Sequence, residues 1–111
     1  MWHETPLDFE ALENWLHARL GQSIEVHLVT ERSTVGFVQG PIDRVIRFEG
    51  DTSEGLLIDG GAGTWSLELA LEEFVSARVM SVPDSPTARQ LRVTMRQHEL
   101  MLDLDDAGAA D

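Results

Sequence analysis

The chain contains no cysteine, no lysine and no tyrosine. Without cysteine it can form neither a disulfide framework nor a thiolate zinc site, so its fold depends on non-covalent packing. At 111 residues the chain is long enough to bury a core of its own, and we expect a single domain. The sequence has no apolar run long enough to span a membrane, and the N-terminus lacks the basic and apolar regions of a signal peptide. We therefore expect a cytoplasmic protein with no membrane partner.

Positive charge is also scarce. Eight basic residues, all of them arginine, stand against 20 Asp and Glu residues, which gives a formal net charge of −12. A field of this sign repels phosphate groups and disfavours nucleic acid as a partner. The exclusive use of arginine fits bidentate contacts through guanidinium groups, but a coding bias toward arginine explains it more simply.

The first periodic segment predicts a helix from about Pro6 to Leu20. Thr5 is a suitable N-cap, Pro6 suits the first helical position, and Gly21 suits the residue after the C-terminus. Apolar residues recur at helical spacing, at Phe9, Leu12, Leu16 and Leu20. We therefore expect a helix that packs one face against the core.

From Ser23 onward the apolar residues alternate with polar ones, which is the period of a half-buried strand. Segments of this kind cover residues 23–30, 34–40, 43–50, 55–60, 64–71, 72–80 and 89–104. In the last segment the apolar residues change from odd to even positions, so a turn is expected near Arg96–Glu99. The sequence thus predicts one domain over residues 1–104, mainly β, followed by a disordered acidic tail at residues 105–111.

Residues 12–40, LENWLHARLGQSIEVHLVTERSTVGFVQG, place in order a helix, a glycine, an alternating strand, a polar turn and a second strand with a glycine at its bend. This order resembles the first motif of the Sm-like (LSm) barrel family. The resemblance covers about residues 7–48 and, more loosely, the strand FVSARV at 74–79. It implies a small antiparallel barrel of bent strands with an N-terminal helix and an extra C-terminal strand or hairpin. It also implies a homo-oligomer joined through edge strands.

The RNA-binding pattern of that family is missing from this chain. In RNA-binding Sm proteins an Asp and, four residues later, an Asn follow the second glycine. Those positions hold Ile42 and Ile46 here, or Asp43 and Arg47 after a slip of one residue. The basic residue and glycine of the second Sm motif are absent as well. The resemblance therefore implies a divergent member without the family's RNA site.

No set of residues has the spacing of a metal or catalytic centre. The four histidines, His3, His17, His27 and His98, are on different predicted elements and lack ligand spacing. Asp103, Asp105 and Gly108 match three positions of a calcium loop, but the fifth position is Ala107. The run GGAG at 60–63 lies between two strands, which favours a hairpin turn over a phosphate cradle. We expect no enzyme activity, no metal and no cofactor.

Two groups of residues remain as candidate binding surfaces. The first is a possible patch for an anion or nucleic acid, formed by Arg78, Arg89, Arg92 and Arg96. The alternative for these arginines, and the simpler interpretation, is cross-strand pairing with Glu68, Glu72 or Glu99. The second group is a possible oligomer interface, formed by Phe74, Met80 and Met101.

The leading hypothesis is a non-enzymatic interaction or assembly module that forms a homo-oligomer. One alternative is a divergent protein that binds single-stranded RNA through the arginine patch. Another is a barrel that binds a small ligand against Trp65, although core packing accounts for this tryptophan more simply.

Overall fold

The computed structural model of the chain describes residues 3–30, 34–51, 53–82 and 85–105. Within these ranges the chain forms eight strands, one α-helix and two short 3-10 turns. The elements are β1 (His3–Leu7), α1 (Phe9–His17), β2 (Ser23–Val29), β3 (Thr34–Glu49), β4 (Glu54–Gly60), β5 (Trp65–Ala70), β6 (Phe74–Val82), β7 (Ser85–Met95) and β8 (Glu99–Asp105). The 3-10 turns, Gly61–Gly63 and Leu71–Glu73, lie on either side of β5.

All eight strands belong to one antiparallel sheet in the order β1-β6-β7-β8-β2-β3-β4-β5. The predicted mainly β fold with one helix near the N-terminus is confirmed. No ladder joins β5 to β1 in the part of the chain that the structure describes, so the sheet is open. The predicted closure into an Sm-like barrel is therefore not confirmed. The C-terminal strand β8 pairs within the chain, between β7 and β2.

Strand β3 is one bent strand of 16 residues, although the sequence predicts two strands at 34–40 and 43–50. Its first part pairs with β2 as far as Pro41, and its second part pairs with β4 from Ile42 onward. The register against β2 shifts between Val26 and His27, opposite Gly36. A β-bulge or irregularity of this kind is a feature that a glycine within a strand predicts. Strand β3 thus links the half of the sheet that contains β2 to the half that contains β4 and β5.

The helix begins later than the sequence predicts. Residues 3–7 form β1, which pairs with β6, and Asp8 is the N-cap of α1: its Oδ1 accepts a hydrogen bond from the backbone N–H of Ala11 at 2.7 Å. The prediction of Thr5 as N-cap was wrong. Thr5 precedes a proline, which favours extended backbone, and Asp8 caps the helix equally well. The C-cap is Ala18, so the helix also ends before Leu20, which is exposed.

The core lies between α1 and one face of the sheet, which we call the inner face. Leu12 and Leu16 of α1 have no exposed surface, and Phe9 is also buried. The strands supply the other buried apolar residues, among them Ile24, Val26, Leu56, Ile58, Leu67, Leu69, Leu91, Val93, Leu100 and Leu102. These residues follow the period of two that places alternate side chains on one face. The opposite face of the sheet is the outer face.

Two of the predicted turns are confirmed. GGAG connects β4 to β5, and β7 ends at Met95 before β8 begins at Glu99. Asp105 ends β8, and the rest of the predicted tail lies outside the described residues. No helix in the described ranges is long and apolar enough to cross a membrane.

Candidate functional site

The two edge strands of the open sheet differ in how they are protected against a further strand. β1 carries Pro6, which has no backbone N–H to donate, and Glu4, whose carboxylate lies 3.4 Å from the Arg78 guanidinium. Proline and charged side chains are common devices against edge pairing. β5, with the sequence WSLELA, has no proline and a single charged residue, Glu68. Of the two edges, β5 is therefore the one better suited to accept another strand.

Three apolar side chains lie on the outer face beside this edge, and we call Ile46, Phe48 and Leu57 the outer apolar patch. Ile46 of β3 is opposite Leu57 of β4, which in turn is opposite Glu68 of β5. Ile46 is 38% exposed, and Phe48 and Leu57 are half-buried. Single exposed apolar residues are common on proteins, but a group of them beside an unpaired edge is typical of an interaction surface.

A glycine makes room for the ring of Phe48. Gly55 is the partner of Phe48 in the β3–β4 ladder, and a Cβ on Gly55 would lie 2.9 Å from Phe48 Cζ and 2.2 Å from the Leu69 carbonyl oxygen. Any larger residue would displace either the ring or the backbone of β5. Gly55 therefore lets the Phe48 ring lie close against β4 on the outer face.

Two open depressions adjoin the outer apolar patch. One, of about 320 Å³, is lined by Phe48, Ser53, Leu57 and Glu68. The other, of about 370 Å³, shares Ser53 and is lined by the turn after β3 and the 3-10 turn after β5. Its further lining residues are Gly50, Asp51, Glu54, Leu71 and Glu72. The two together combine an apolar floor with carboxylates at the rim.

The GGAG turn holds the beginning of β5 in place. The backbone N–H of Ala62 donates a hydrogen bond to Asp43 Oδ2 at 2.8 Å, which ties the turn to β3. The half-buried Trp65 ring lies against Gly60 and packs on the core, and its Nε1 is buried without a hydrogen-bond partner among the described residues. Trp65 lines neither depression described above. In this position it anchors the hairpin that presents the β5 edge.

Arg47 connects the half of the sheet that carries the patch to the helix. Its Nη1 donates to Glu13 Oε1 of α1 at 3.0 Å, and its Nη2 donates to Glu54 Oε1 of β4 at 2.5 Å. The guanidinium also lies 5.2 Å from the centre of the Phe9 ring. The hydrogen bonds that Arg47 donates to Glu54 and Glu13 raise the pKa of Arg47 above its ordinary value. Arg47 therefore stays charged at any working pH, and it bridges α1, β3 and β4 in this structure.

The structure brings two of the four predicted patch arginines together. Arg78 and Arg92 are direct partners in the β6–β7 ladder on the outer face. Each has acidic neighbours: Arg78 lies near Glu4, and Arg92 Nη1 lies 3.7 Å from Glu99. The predicted pairing of an arginine with Glu99 is thus confirmed. Arg89 of β7 is opposite Leu104, on the inner face of the sheet, and donates a hydrogen bond to the Ala88 carbonyl oxygen. Arg96 is exposed in the turn before β8.

The histidines lie apart from one another. His27 Nε2 is 3.0 Å from Glu25 Oε1 and 3.7 Å from Asp103 Oδ2 on the outer face, and His17 is 3.9 Å from Glu13 on the helix. His3 lies at the first position of β1, and His98 lies directly before β8. In the described part of the chain, no three His, Asp or Glu side chains are arranged to hold a metal ion. Of the calcium-like run, only the stretch through Asp105 falls within the described residues.

The three predicted interface residues occupy different environments. Phe74 is half-buried and packs edge-to-face on Phe9, with 5.2 Å between ring centres. Met80 lies on the outer face of β6 and is 8% exposed, and Met101 lies half-buried on the outer face of β8. Their role at an oligomer interface stays a prediction, and Phe74 already has a packing role within the chain.

The outer apolar patch belongs to neither of the two binding surfaces that the sequence predicts. Its signal is nevertheless present as adjacent apolar residues, Val45–Ile46 in β3 and Leu56–Leu57–Ile58 in β4. In a strand, neighbouring side chains point to opposite faces, so such a pair means that both faces carry an apolar residue. The open β5 edge has no comparable signal, because the strand order decides it.

No protein-family model matches the chain, and no curated protein or solved structure is similar to it. The geometry of the described residues is therefore the basis for the function proposed next.

Proposed function

We propose that this chain is a non-enzymatic interaction module that accepts an extended segment of a partner polypeptide at the β5 edge. The observation that carries the proposal is the open β5 edge, unprotected by proline, beside the outer apolar patch. An added strand would satisfy the backbone groups of β5 that no strand of the described residues pairs with, and backbone hydrogen bonds of this kind supply affinity in β-augmentation.

The surroundings of β5 support this mode of binding. On the inner face Leu67 and Leu69 are buried, so an added strand that places apolar side chains beside them extends the existing core. On the outer face the added side chains would lie next to Glu68, which separates them from Leu57 of the patch. Burial on both faces would help to offset the entropy lost when an extended segment becomes ordered.

A second copy of the chain is the simplest partner and would produce the homo-oligomer that the resemblance implies. Two β5 strands related by a twofold axis can pair with Leu67 opposite Leu67, which places Glu68 opposite Ser66. A pair centred on Glu68 instead places two carboxylates opposite each other, and like charges in this position are destabilising. If the chain self-associates, the Leu67-centred register is therefore the expected one.

Hydrogen exchange of the β5 amides, combined with the solution mass by light scattering over a range of protein concentrations, tests the proposal. In the monomer the outward-facing amides of β5 are expected to exchange much faster than those of the central strands β2 and β8. Self-association would raise the mass and slow exchange in residues 65–70 together. If the β5 amides of the monomer were as protected as those of β2, the edge would already be covered and the proposal would be wrong.

The Sm-like relationship belongs to this proposal as well. It is supported by the residue pattern over 7–48 and by the bend of β3. The RNA-binding alternative would depend on Arg78 and Arg92, but both guanidinium groups lie near carboxylates. We therefore do not propose RNA as the ligand.

A further inference from the structure

Since the partner would lie along β5, the chemistry on the two faces of that strand specifies what the partner must carry. This inference rests on the function proposed above. Side chains alternate between the faces of a strand, and neighbouring strands lie about 4.8 Å apart. Each face of β5 therefore selects every second residue of the added strand.

The inner face selects apolar residues. The inward side chains of β5 are Trp65, Leu67 and Leu69, and the two leucines are at most 9% exposed. A partner side chain beside them would continue the core toward solvent, where a charged group would lose hydration without gaining a partner.

The outer face selects long basic residues. The outward side chains of β5 are Ser66, Glu68 and Ala70, so the carboxylate of Glu68 has a small residue two positions away on each side. An arginine or lysine opposite Glu68 could place its charged end near the carboxylate while its aliphatic stem lies along the added strand and β5. Glu72, exposed in the 3-10 turn that follows β5, adds a second carboxylate at the rim.

Charge complementarity favours this partner over a second copy. The lining of the two depressions includes Asp51, Glu54, Glu68 and Glu72 and no basic residue among the described residues. Of these, Glu54 is already held by Arg47. A second copy would bring another net charge of −12 to the same surface, whereas a basic segment would relieve the repulsion among these carboxylates.

We propose that the β5 edge binds an extended segment of a partner protein in which apolar residues alternate with lysine or arginine. The apolar residues would lie on the inner face beside Leu67 and Leu69. The basic residues would lie on the outer face, with their charges near Glu68, and Glu72 in the turn after β5 would add to the attraction.

The test uses fluorescence anisotropy with a labelled synthetic peptide, slightly longer than β5, in which valine and lysine alternate. Three further peptides serve as controls: valine alternating with serine, valine alternating with glutamate, and the first composition with its valines and lysines in separate blocks. The alternating valine–lysine peptide is expected to bind most tightly, and its binding should weaken as salt is raised. Hydrogen exchange of the complex should show slower exchange at residues 65–70.

A matched pair of variants separates the rim carboxylates from the general negative charge. The double variant Glu68→Gln/Glu72→Gln is expected to bind the peptide about five- to tenfold more weakly, because it removes two charge pairs. The control Glu10→Gln/Glu25→Gln removes the same charge from exposed positions on α1 and β2, and we expect little change. An equal loss in both variants would mean diffuse attraction and would overturn the proposal.

The remaining outcomes distinguish this proposal from the one that it rests on. If the valine–serine peptide binds as well as the valine–lysine peptide and slows exchange in β5, the edge function stands and the basic partner is wrong. If light scattering shows that a second copy occupies β5 and the peptide cannot displace it, self-association replaces the basic partner. If no peptide binds and the β5 amides are protected in the free monomer, both proposals fail.

Discussion

Replacement of Gly60 or Gly63 by alanine, both at the β4–β5 hairpin, is expected to lower the free energy of unfolding by very different amounts. At Gly60 the backbone is extended, with φ of −161°, so alanine meets no conformational penalty there. A Cβ at this position would instead lie 2.1 Å from Trp65 Cζ2 and 2.3 Å from the Pro41 carbonyl oxygen. At Gly63 the reverse holds, because nothing lies within 4 Å of the added Cβ but φ is +88°.

The expected magnitudes follow from these two causes. Gly60→Ala forces either the indole or the backbone of β3 to move, and overpacking of this kind costs about 3 kcal/mol. Gly63→Ala places an L-residue in the left-handed region, which costs about 1 kcal/mol. For a domain of this size, 1 kcal/mol corresponds to about 4 to 6 °C in the midpoint of thermal unfolding. We expect losses of about 12 to 18 °C for Gly60→Ala and about 4 to 6 °C for Gly63→Ala.

Urea unfolding and thermal unfolding of both variants and the parent chain provide the measurement. A second comparison introduces Gly60→Ala into a Trp65→Leu background, where the contact with the indole is gone and the contact with the Pro41 carbonyl remains. The cost of the glycine substitution should fall there to about 1 to 2 kcal/mol. Equal costs for Gly60→Ala and Gly63→Ala, or no change in the Trp65→Leu background, would refute the assignment of the cost to the Trp65 contact.

Three further substitutions test other contacts by urea unfolding. Asp8→Ala removes the helix cap and is expected to cost about 1 kcal/mol, whereas Asp8→Asn, which keeps an acceptor oxygen, should cost much less. Asp43→Ala leaves the Ala62 N–H without its acceptor, and we expect a loss of about 0.5 to 1.5 kcal/mol, with a neutral result contradicting the anchoring of the turn. Phe74→Ala removes the ring that packs on Phe9 and should cost about 2 to 4 kcal/mol, somewhat less than a fully buried ring. The solution mass of this last variant tests the predicted oligomer interface separately from its stability.

The class of fold and most strands could be predicted because period-two alternation is a local signal. The elements that the sequence misassigned depend on distant partners. Residues 3–7 became a strand because β6 offers them a ladder, and nothing near Pro6 indicates that partner. The two strands predicted at 34–40 and 43–50 are one strand, because β2 and β4 pair with successive parts of it. Closure of the sheet likewise depends on the strand order, which the alternation does not contain.

In the candidate site, too, some features have a local signal in the sequence and others depend on distant strand partners. The pairing of Arg92 with Glu99 could be predicted because charges on neighbouring strands meet across the ladder. Arg78 lies near Glu4 instead, a neighbour that depends on β1, which the sequence does not predict as a strand.

The predicted binding surfaces do not include Ile46 and Leu57. Each of them is next to a buried apolar residue in the sequence, so its own side chain must lie on the other face of the sheet. Prediction of the unpaired edge at β5 would require the complete strand order, because the sequence of the β4–β5 hairpin does not differ from that of a hairpin inside a sheet.

The position of β2 between β3 and β8 has a consequence for the order of folding. The meander from β2 to β5 is made of neighbours in sequence, so its ladders can form as soon as those residues are available. Until β8 forms, this intermediate has two unpaired edges, β2 and β5. Pairing of Ile24 with Leu104 joins regions that are far apart in the chain, and it covers only the first of these edges. A growing or refolding chain therefore exposes β2 to chance pairing and aggregation for a limited time, while the β5 edge stays open in the native state.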